Sequence, residues 1–337
     1  SEKQVNNDLL ISFGYGDGGG GVNRDMLENR RRIEKIPGLP NLKMSTAGEY
    51  FRRLHDTVEN TEQYVHTWDG ELYLEYHRGT YTSMAKNKKN NRKSEFLYEN
   101  TELMTLMGKI LTGGEYPKEM LKDGWQKILL CQFHDIIPGS SIKEVYDESD
   151  LVYAEIQGKA QAAKEAAEKA IAANVGTKGG LLVFNPNAFT ASGLVQTEEG
   201  KVWVEDIPAK GYKVVAQPKA AQGVTVDEGS RVIENAFVRV AFDEDYNITS
   251  IYDKVSGHEA VKEGEKANRL TAFEDIPRAW DAWEITNYYT EKYWHLDKVS
   301  KVQAIRDGET AGFEIVRPFQ KSTVTQRITL DAHTGKV

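Results

Sequence analysis

Gln132-Phe133-His134-Asp135-Ile136-Ile137-Pro138-Gly139-Ser140-Ser141 closes an apolar helical run and opens a turn. Pro138 and Gly139 stop the helix. Its last polar side chains, His134 and Asp135, are then carried on a rigid element and left uncovered by a short loop, which is how a fold delivers groups to a cleft. The imidazole is a candidate metal ligand, and the carboxylate is a candidate acceptor for sugar hydroxyls. The plainer alternative makes His134 the polar end of a core helix and Asp135 an ordinary cap.

Around this stretch the pattern is helical. Residues 93–111 place Phe96, Leu103, Met107, Ile110 and Leu111 on one face, and Gly113-Gly114 ends the run. Pro117 starts a second helix with Met120, Leu121, Trp125, Ile128 and Leu129 inward, and this helix delivers His134 and Asp135. A third runs from Ile142 to about Ala173; its second half is rich in Ala, Lys and Glu. Helices joined by short connections predict a three-helix-type bundle. After Gly176 the character changes. Leu181-Leu182-Val183-Phe184, Val202-Trp203-Val204, Tyr212-Lys213-Val214-Val215, Phe237-Val238-Arg239-Val240-Ala241-Phe242 and Ile248-Thr249-Ser250-Ile251-Tyr252 alternate or run apolar, with turn residues between them. That predicts an antiparallel β-sandwich, with a border between Ala173 and Leu181.

Upstream, residues 9–13 read as a short buried strand entering Gly14-Tyr15-Gly16-Asp17-Gly18-Gly19-Gly20-Gly21. Neither the Rossmann nor the P-loop spacing is met. The glycines instead suit a sharp bend or a close approach to a ligand, with Asp17 at the carboxyl end of a strand, the edge where α/β barrels collect catalytic groups. Residues 22–36 are helical up to Pro37-Gly38, and Thr46-Ala47-Gly48-Glu49 is a capping box that opens another helix. Both chain ends read as cut from something longer, so a fragment is expected.

Two further stretches have the composition of a polar, aromatic-lined cleft. Residues 68–83 mix Trp, Tyr, Asp, Glu, His and Arg; a sugar ring with one apolar face and many hydroxyls suits that mixture, as does a Tyr-rich core edge. Residues 273–284 hold two tryptophans, four carboxylates and Arg278, which fits either a loop at a cleft or packing between domains.

At 337 residues the chain exceeds one ordinary core. With 39% apolar and 28% charged residues it reads as a globular protein. Its net charge of −8 repels a phosphate backbone, so nucleic acid is not expected as a partner. The basic runs Arg30-Arg31-Arg32 and 86–93 read as solvated helix faces. A single cysteine, Cys131, allows no internal disulfide and points to a reducing, cytoplasmic compartment. No run is long and apolar enough to cross a membrane, and no signal peptide is visible.

These segments together resemble a family. Phe13 to Gly21, Trp68-Asp69-Gly70-Glu71-Leu72-Tyr73 through Thr82-Ser83, Gln132-Phe133-His134-Asp135, Asn268-Arg269-Leu270, Glu274-Asp275-Ile276-Pro277 and Trp280-Asp281-Ala282-Trp283 are similar, in order and spacing, to glycoside hydrolase family 38 α-mannosidases of the bacterial and cytosolic type. The resemblance implies a multidomain α + β protein. Residues 1–21 would be a remnant of the β/α-barrel catalytic domain, 22–175 the helical-bundle middle domain, and 176–337 a truncated β-sandwich of the mutarotase-like supersandwich kind. It implies zinc, with His134 matching the ligand from the helical domain, Asp135 matching the acid that hydrogen-bonds the sugar, and Asp17 in the region of the general acid/base. His77, Arg78 and Tyr81 match a stretch approaching the pocket. The substrate would be a mannose-containing oligosaccharide or glycoside, and a homo-oligomer is expected because family members commonly assemble.

A retaining glycosidase needs two carboxyl groups. The family's first zinc ligands, in a His-x-Asp motif near the barrel's start, and its nucleophile aspartate are expected to have no counterpart here. The fragment alone is therefore expected to be inactive. The alternatives are a mannosylglycerate hydrolase of the same family and a non-catalytic carbohydrate-binding or structural module.

Overall fold

The structure is a computed structural model; it describes residues 4–16, 18–70, 77–216 and 222–337. The chain divides into two compact units, residues 1–73 and 74–337.

The first unit contains helices α1 (Arg24–Ile33) and α2 (Ala47–Glu59). Asn23 caps α1 by accepting the Met26 N–H at 2.8 Å. Thr46 caps α2 through the Glu49 N–H at 3.3 Å, while the Glu49 carboxylate accepts the Ser45 hydroxyl at 2.8 Å. Residues 9–13 are neither paired nor buried: Leu9, Leu10, Ile11 and Phe13 are exposed. An apolar run becomes a strand only when a neighbour takes its N–H and C=O groups, and no described residue does so here. The Asp8 carboxylate instead ties this segment to α2 through Arg53 at 2.7 Å. In the glycine-rich turn the Tyr15 carbonyl accepts the Gly18 and Gly20 N–H groups; a Cβ on Gly14 would lie 2.3 Å from the Gly18 oxygen, so only glycine closes it.

The second unit begins with three long helices, α3 (Ala85–Thr112), α4 (Lys118–Cys131) and α5 (Lys143–Val175), around a core of Tyr98, Leu121, Ile128, Cys131, Tyr153, Ile156 and Ala160. The inward face of α3 is not the expected one. Asn87, Asn91, Ser94, Tyr98, Thr101, Met104, Thr105 and Gly108 are buried, whereas Phe96, Ile110 and Leu111 are exposed. Leu129 of α4 is exposed as well. Polar groups on the buried face of α3 are bonded. The Thr101 hydroxyl reaches the Leu97 and Ala160 carbonyls, Ser149 donates to Asn87 at 2.7 Å, and Gln157 donates to Ser94 at 2.9 Å.

The rest is β-rich. Strands β1 (Leu181–Phe184) and β4 (Tyr212–Val215) pair antiparallel, as do β2 (Ala191–Thr197) and β3 (Gly200–Ile207); Val183, Val202, Val204 and Ile207 are their shared core. A five-stranded sheet follows in sequence order: β5 (Thr225–Asp227), β6 (Val232–Glu234), β7 (Val238–Phe242), β8 (Ile248–Asp253) and β9 (His258–Glu259). Strands β10 (Thr271–Phe273) and β11 (Tyr293–His295) pair across a long loop. Strands β12 (Lys301–Asp307), β13 (Thr310–Phe319) and β14 (Ser322–Asp331) form a meander. The five-stranded sheet and the meander share one core, with Ile233, Val238, Val240 and Phe242 against Phe313, Ile315 and Leu330. Burial alternates along β13 through Ala311, Phe313 and Ile315, and the next position on that face is Arg317.

Candidate active site

Helix α4 ends at Cys131, well before Pro138, so His134 and Asp135 stand in the string of turns that follows over 132–141 and not on the helix itself. His134 is exposed at 78% of its side chain, and its Nε2 lies 3.3 Å from Asp135 Oδ2. Its ring packs on Phe133 at 4.2 Å. It is an open imidazole at a helix end, not a sealed core residue. The turn behind it is well held. Ser141 Oγ donates to the Asp135 carbonyl at 2.7 Å, Ser140 Oγ lies 3.3 Å from Asp135 Oδ1, and the Tyr146 hydroxyl lies 3.3 and 3.2 Å from the Asp135 and Ile136 carbonyls.

His77, Arg78 and Tyr81 sit together on a 3₁₀ turn, Arg78–Tyr81, with His77 as its cap. This turn meets the Trp-rich loop. Gly79 N–H donates to the Trp283 carbonyl at 2.6 Å, Ser83 Oγ to the Ala282 carbonyl at 2.7 Å, and His77 N–H to Glu284 Oε1 at 3.2 Å. A Cβ on Gly79 would fall 2.9 Å from the Trp283 oxygen. The same turn also meets the loop after His134. Lys88 Nζ donates to the Ser83 carbonyl and, at 2.9 Å, to the Ile137 carbonyl. Gly139, in the left-handed region at φ 93°, passes so close that a Cβ would lie 2.6 Å from the Ser83 oxygen. Burial pulls the Lys88 ammonium below the ordinary lysine range. Three segments far apart in sequence, 77–83, 135–141 and 280–284, thus converge on Ser83.

Lys88 and Tyr146 were not singled out by sequence, and Ser83 entered only as the last residue of the 68–83 stretch. Lys88 lies in a basic run that otherwise faces solvent; only its spacing on the buried side of α3, one residue from Asn87, hints at its role. Asp17 lies outside the described residues, as do residues 71–76 of the aromatic stretch. No group of three or more His, Cys, Asp and Glu side chains set to hold a cation is found among the described residues. A His-x-Asp triplet does occur once, at His295-Leu296-Asp297, contrary to expectation, but the fold uses it otherwise. His295 Nδ1 is 3.0 Å from the Thr271 hydroxyl on the paired strand, and Asp297 is held by Arg269 at 2.6 Å.

Three family models match along the chain in order: the glycosyl hydrolases family 38 N-terminal domain over residues 1–71, the alpha mannosidase middle domain over 75–171, and the family 38 C-terminal domain over 233–337. Human alpha-mannosidase 2C1 is 32% identical over 299 residues, covering 85% of this chain and 28% of that protein. An alpha-mannosidase of Saccharomyces cerevisiae is 29% identical over 346 residues, covering 96% of this chain and 30% of that protein. A solved alpha-mannosidase from Enterococcus faecalis overlays 88% of this chain and 42% of its own at a TM-score of 0.57 and 15% identity, a likeness of fold alone. The chain thus spans 28% to 31% of the length of the curated relatives it matches.

Proposed function

The chain belongs to glycoside hydrolase family 38, and from that premise we propose that it supplies part of the active site of a zinc-dependent retaining α-mannosidase acting on terminal mannose of an oligosaccharide or glycoside. The observation that carries this reading is the convergence on Ser83, which brings the turn of His77, Arg78 and Tyr81 to the loop that follows His134 and Asp135. The exposed imidazole of His134 would be a zinc ligand. Asp135, its backbone locked by Ser141, would accept a hydrogen bond from a mannose hydroxyl. His77, Arg78 and Tyr81 would line the approach, and Asp17 would act as general acid/base. The same reading makes residues 176–337 a β-sandwich and places the protein, as a homo-oligomer, in the cytoplasm.

When bound, zinc anchors adjacent sugar hydroxyls and favours a flattened ring. One imidazole with one neighbouring carboxylate falls short of the about three or four protein ligands zinc takes. A retaining reaction also needs two carboxyl groups about 5 Å apart. This chain alone is therefore expected to hold zinc weakly and to leave an aryl α-mannoside intact. In an enzyme of the relatives' full length that carries this chain, His134→Ala is expected to abolish both hydrolysis and zinc retention. Metal-dependent turnover by the isolated chain, or normal activity and zinc content in the His134→Ala enzyme, would overturn the assignment.

A further inference from the structure

The Trp-rich loop does more than brace the Arg78–Tyr81 turn. Trp283 performs that bracing: its carbonyl takes the Gly79 N–H, and its ring lies 4.8 Å from His77. Trp280 braces nothing comparable, yet the loop spends effort to present it. Its backbone is left-handed, φ 58°, a conformation uncommon for a bulky residue. Two N–H groups, from Trp283 and Glu284, fix it by donating to the Trp280 carbonyl at 2.8 Å each. The indole stacks on that of Trp283, centroids 5.3 Å apart and planes 21° apart, and is still 64% exposed. A strained residue that holds a large apolar ring in water against a second ring is an observation that points to a ligand.

The polar groups agree. Glu274 pairs with Lys292, Arg278 binds the Tyr288 hydroxyl, and Glu284 accepts the His77 N–H. Asp281, next to Trp280, is exposed and has no hydrogen-bond or ion-pair partner among the described residues. A flat apolar face beside an unused carboxylate suits a pyranose ring, whose C–H face stacks on the indole while its hydroxyls donate to the carboxylate.

We propose that Trp280 and Asp281 form a pyranose-binding lip that holds the sugar next to the terminal mannose of the substrate. The identity of that sugar as the neighbouring ring rests on the mannosidase reading above. The Arg78–Tyr81 turn and Ser83 link the lip to the loop that follows His134 and Asp135, through Gly79 and Ser83 on one side and Lys88 and Gly139 on the other.

The test uses the intact 337-residue chain, labelled with nitrogen-15, and reads the indole N–H resonances of its six tryptophans during titration with α-linked mannobiose and, separately, with the open-chain polyol mannitol. Mannobiose is expected to move the Trp280 and Trp283 signals saturably in the millimolar range while the other four stay in place, and mannitol is expected to move none. Trp280→Ala should weaken binding about tenfold or abolish it. Trp280→Phe should restore part of the binding, and Asp281→Asn should weaken it without disturbing the other indoles. No shift at tens of millimolar sugar, equal binding by Trp280→Ala, or equal shifts with mannitol would each overturn the lip. The His134→Ala assay reads the mannosidase assignment through hydrolysis and zinc, so loss of activity there with no shift here would remove the lip and leave that assignment standing.

Discussion

Arg317 is the residue the sequence conceals best. The alternation Ala311, Phe313, Ile315 points the next position inward, but an arginine at a strand end ordinarily reads as solvent-facing. Here it is 2% exposed, and its guanidinium donates to the carbonyls of Leu296, Asp297, Asp245 and Tyr246 at 2.8 to 3.1 Å. Burial lowers its affinity for a proton, and the nearby Asp297, Asp243 and Asp245 work against that. A charge is tolerated in this interior because its N–H groups meet backbone acceptors that would otherwise be orphaned. Arg317→Leu keeps much of the bulk and leaves four carbonyls without a donor. It is expected to cost about 3 kcal/mol or more in a urea unfolding experiment; a loss below about 1 kcal/mol would mean that water replaces the guanidinium. His134 and Asp135 are the opposite case. A break in the helical pattern next to two polar residues is a local signal, and what it gave was their exposure, whereas the partners of Arg317 are distant in sequence.

At the scale of the element, the helices were found and so was most of the inward face of α4, Met120, Leu121, Trp125 and Ile128, but the face of α3 was not. The apolar stripe Phe96, Ile110 and Leu111 dominates the periodicity of α3, yet the buried stripe is built from Asn, Ser, Thr and Gly around Tyr98. Small and hydroxylated residues let helices approach closely and bond across the seam, and hydropathy counts them as outward. The fit is tightest where α4 crosses α3. Gly124 lies against the Tyr98 ring, and a Cβ there would sit 1.9 Å from the phenol oxygen and 2.2 Å from the ring carbons. Tyr98 is fully buried, with its hydroxyl 3.1 Å from the Ile156 carbonyl and its pKa pushed up to about 12 by burial, so the ring has no room to swing away. Gly124→Ala would gain helix propensity of about 1 kcal/mol and still lose about 2 kcal/mol net through overpacking. Thermal unfolding of the pair decides this: a variant at least as stable as the parent would show that the α3–α4 seam can open without cost.

Across the whole molecule, the change from helices to strands near Gly176 was plain in composition, but the partition into sheets was not. Several strands that organise it, β5, β6, β9, β10 and β11, are two or three residues long, too short to set up a period. Pairings such as β1 with β4 and β10 with β11 close over long intervals; the first sits on an apolar core, and the segments flanking the second are joined by charged groups. Arg269 grips the Asp297 carboxylate at 3.2 and 2.6 Å, Asn247 donates to the same carboxylate at 3.2 Å, and Lys266 pairs with Asp243 at 2.5 Å. The Arg269 hydrogen bond is the main reason that Asp297 is held below the ordinary aspartate range. At Asp243 burial pushes the other way, and Lys266 with Asn247 outweighs it. The sign follows from linkage: carboxylates with depressed folded-state pKa values add stability that is fully present above about pH 4, the unfolded aspartate value, and is lost as pH falls through the folded values. Partial solvent exposure of both partners keeps each pair modest, so the expected signature is a slope and not a collapse. Unfolding of the wild-type chain should become easier step by step below about pH 4. Asp297→Asn should start from a lower stability at neutral pH and show a shallower acid slope. Parallel pH profiles for the two proteins would mean that the junction of the β7–β8 turn with the loop after β11 is held by Arg317 and its carbonyls alone.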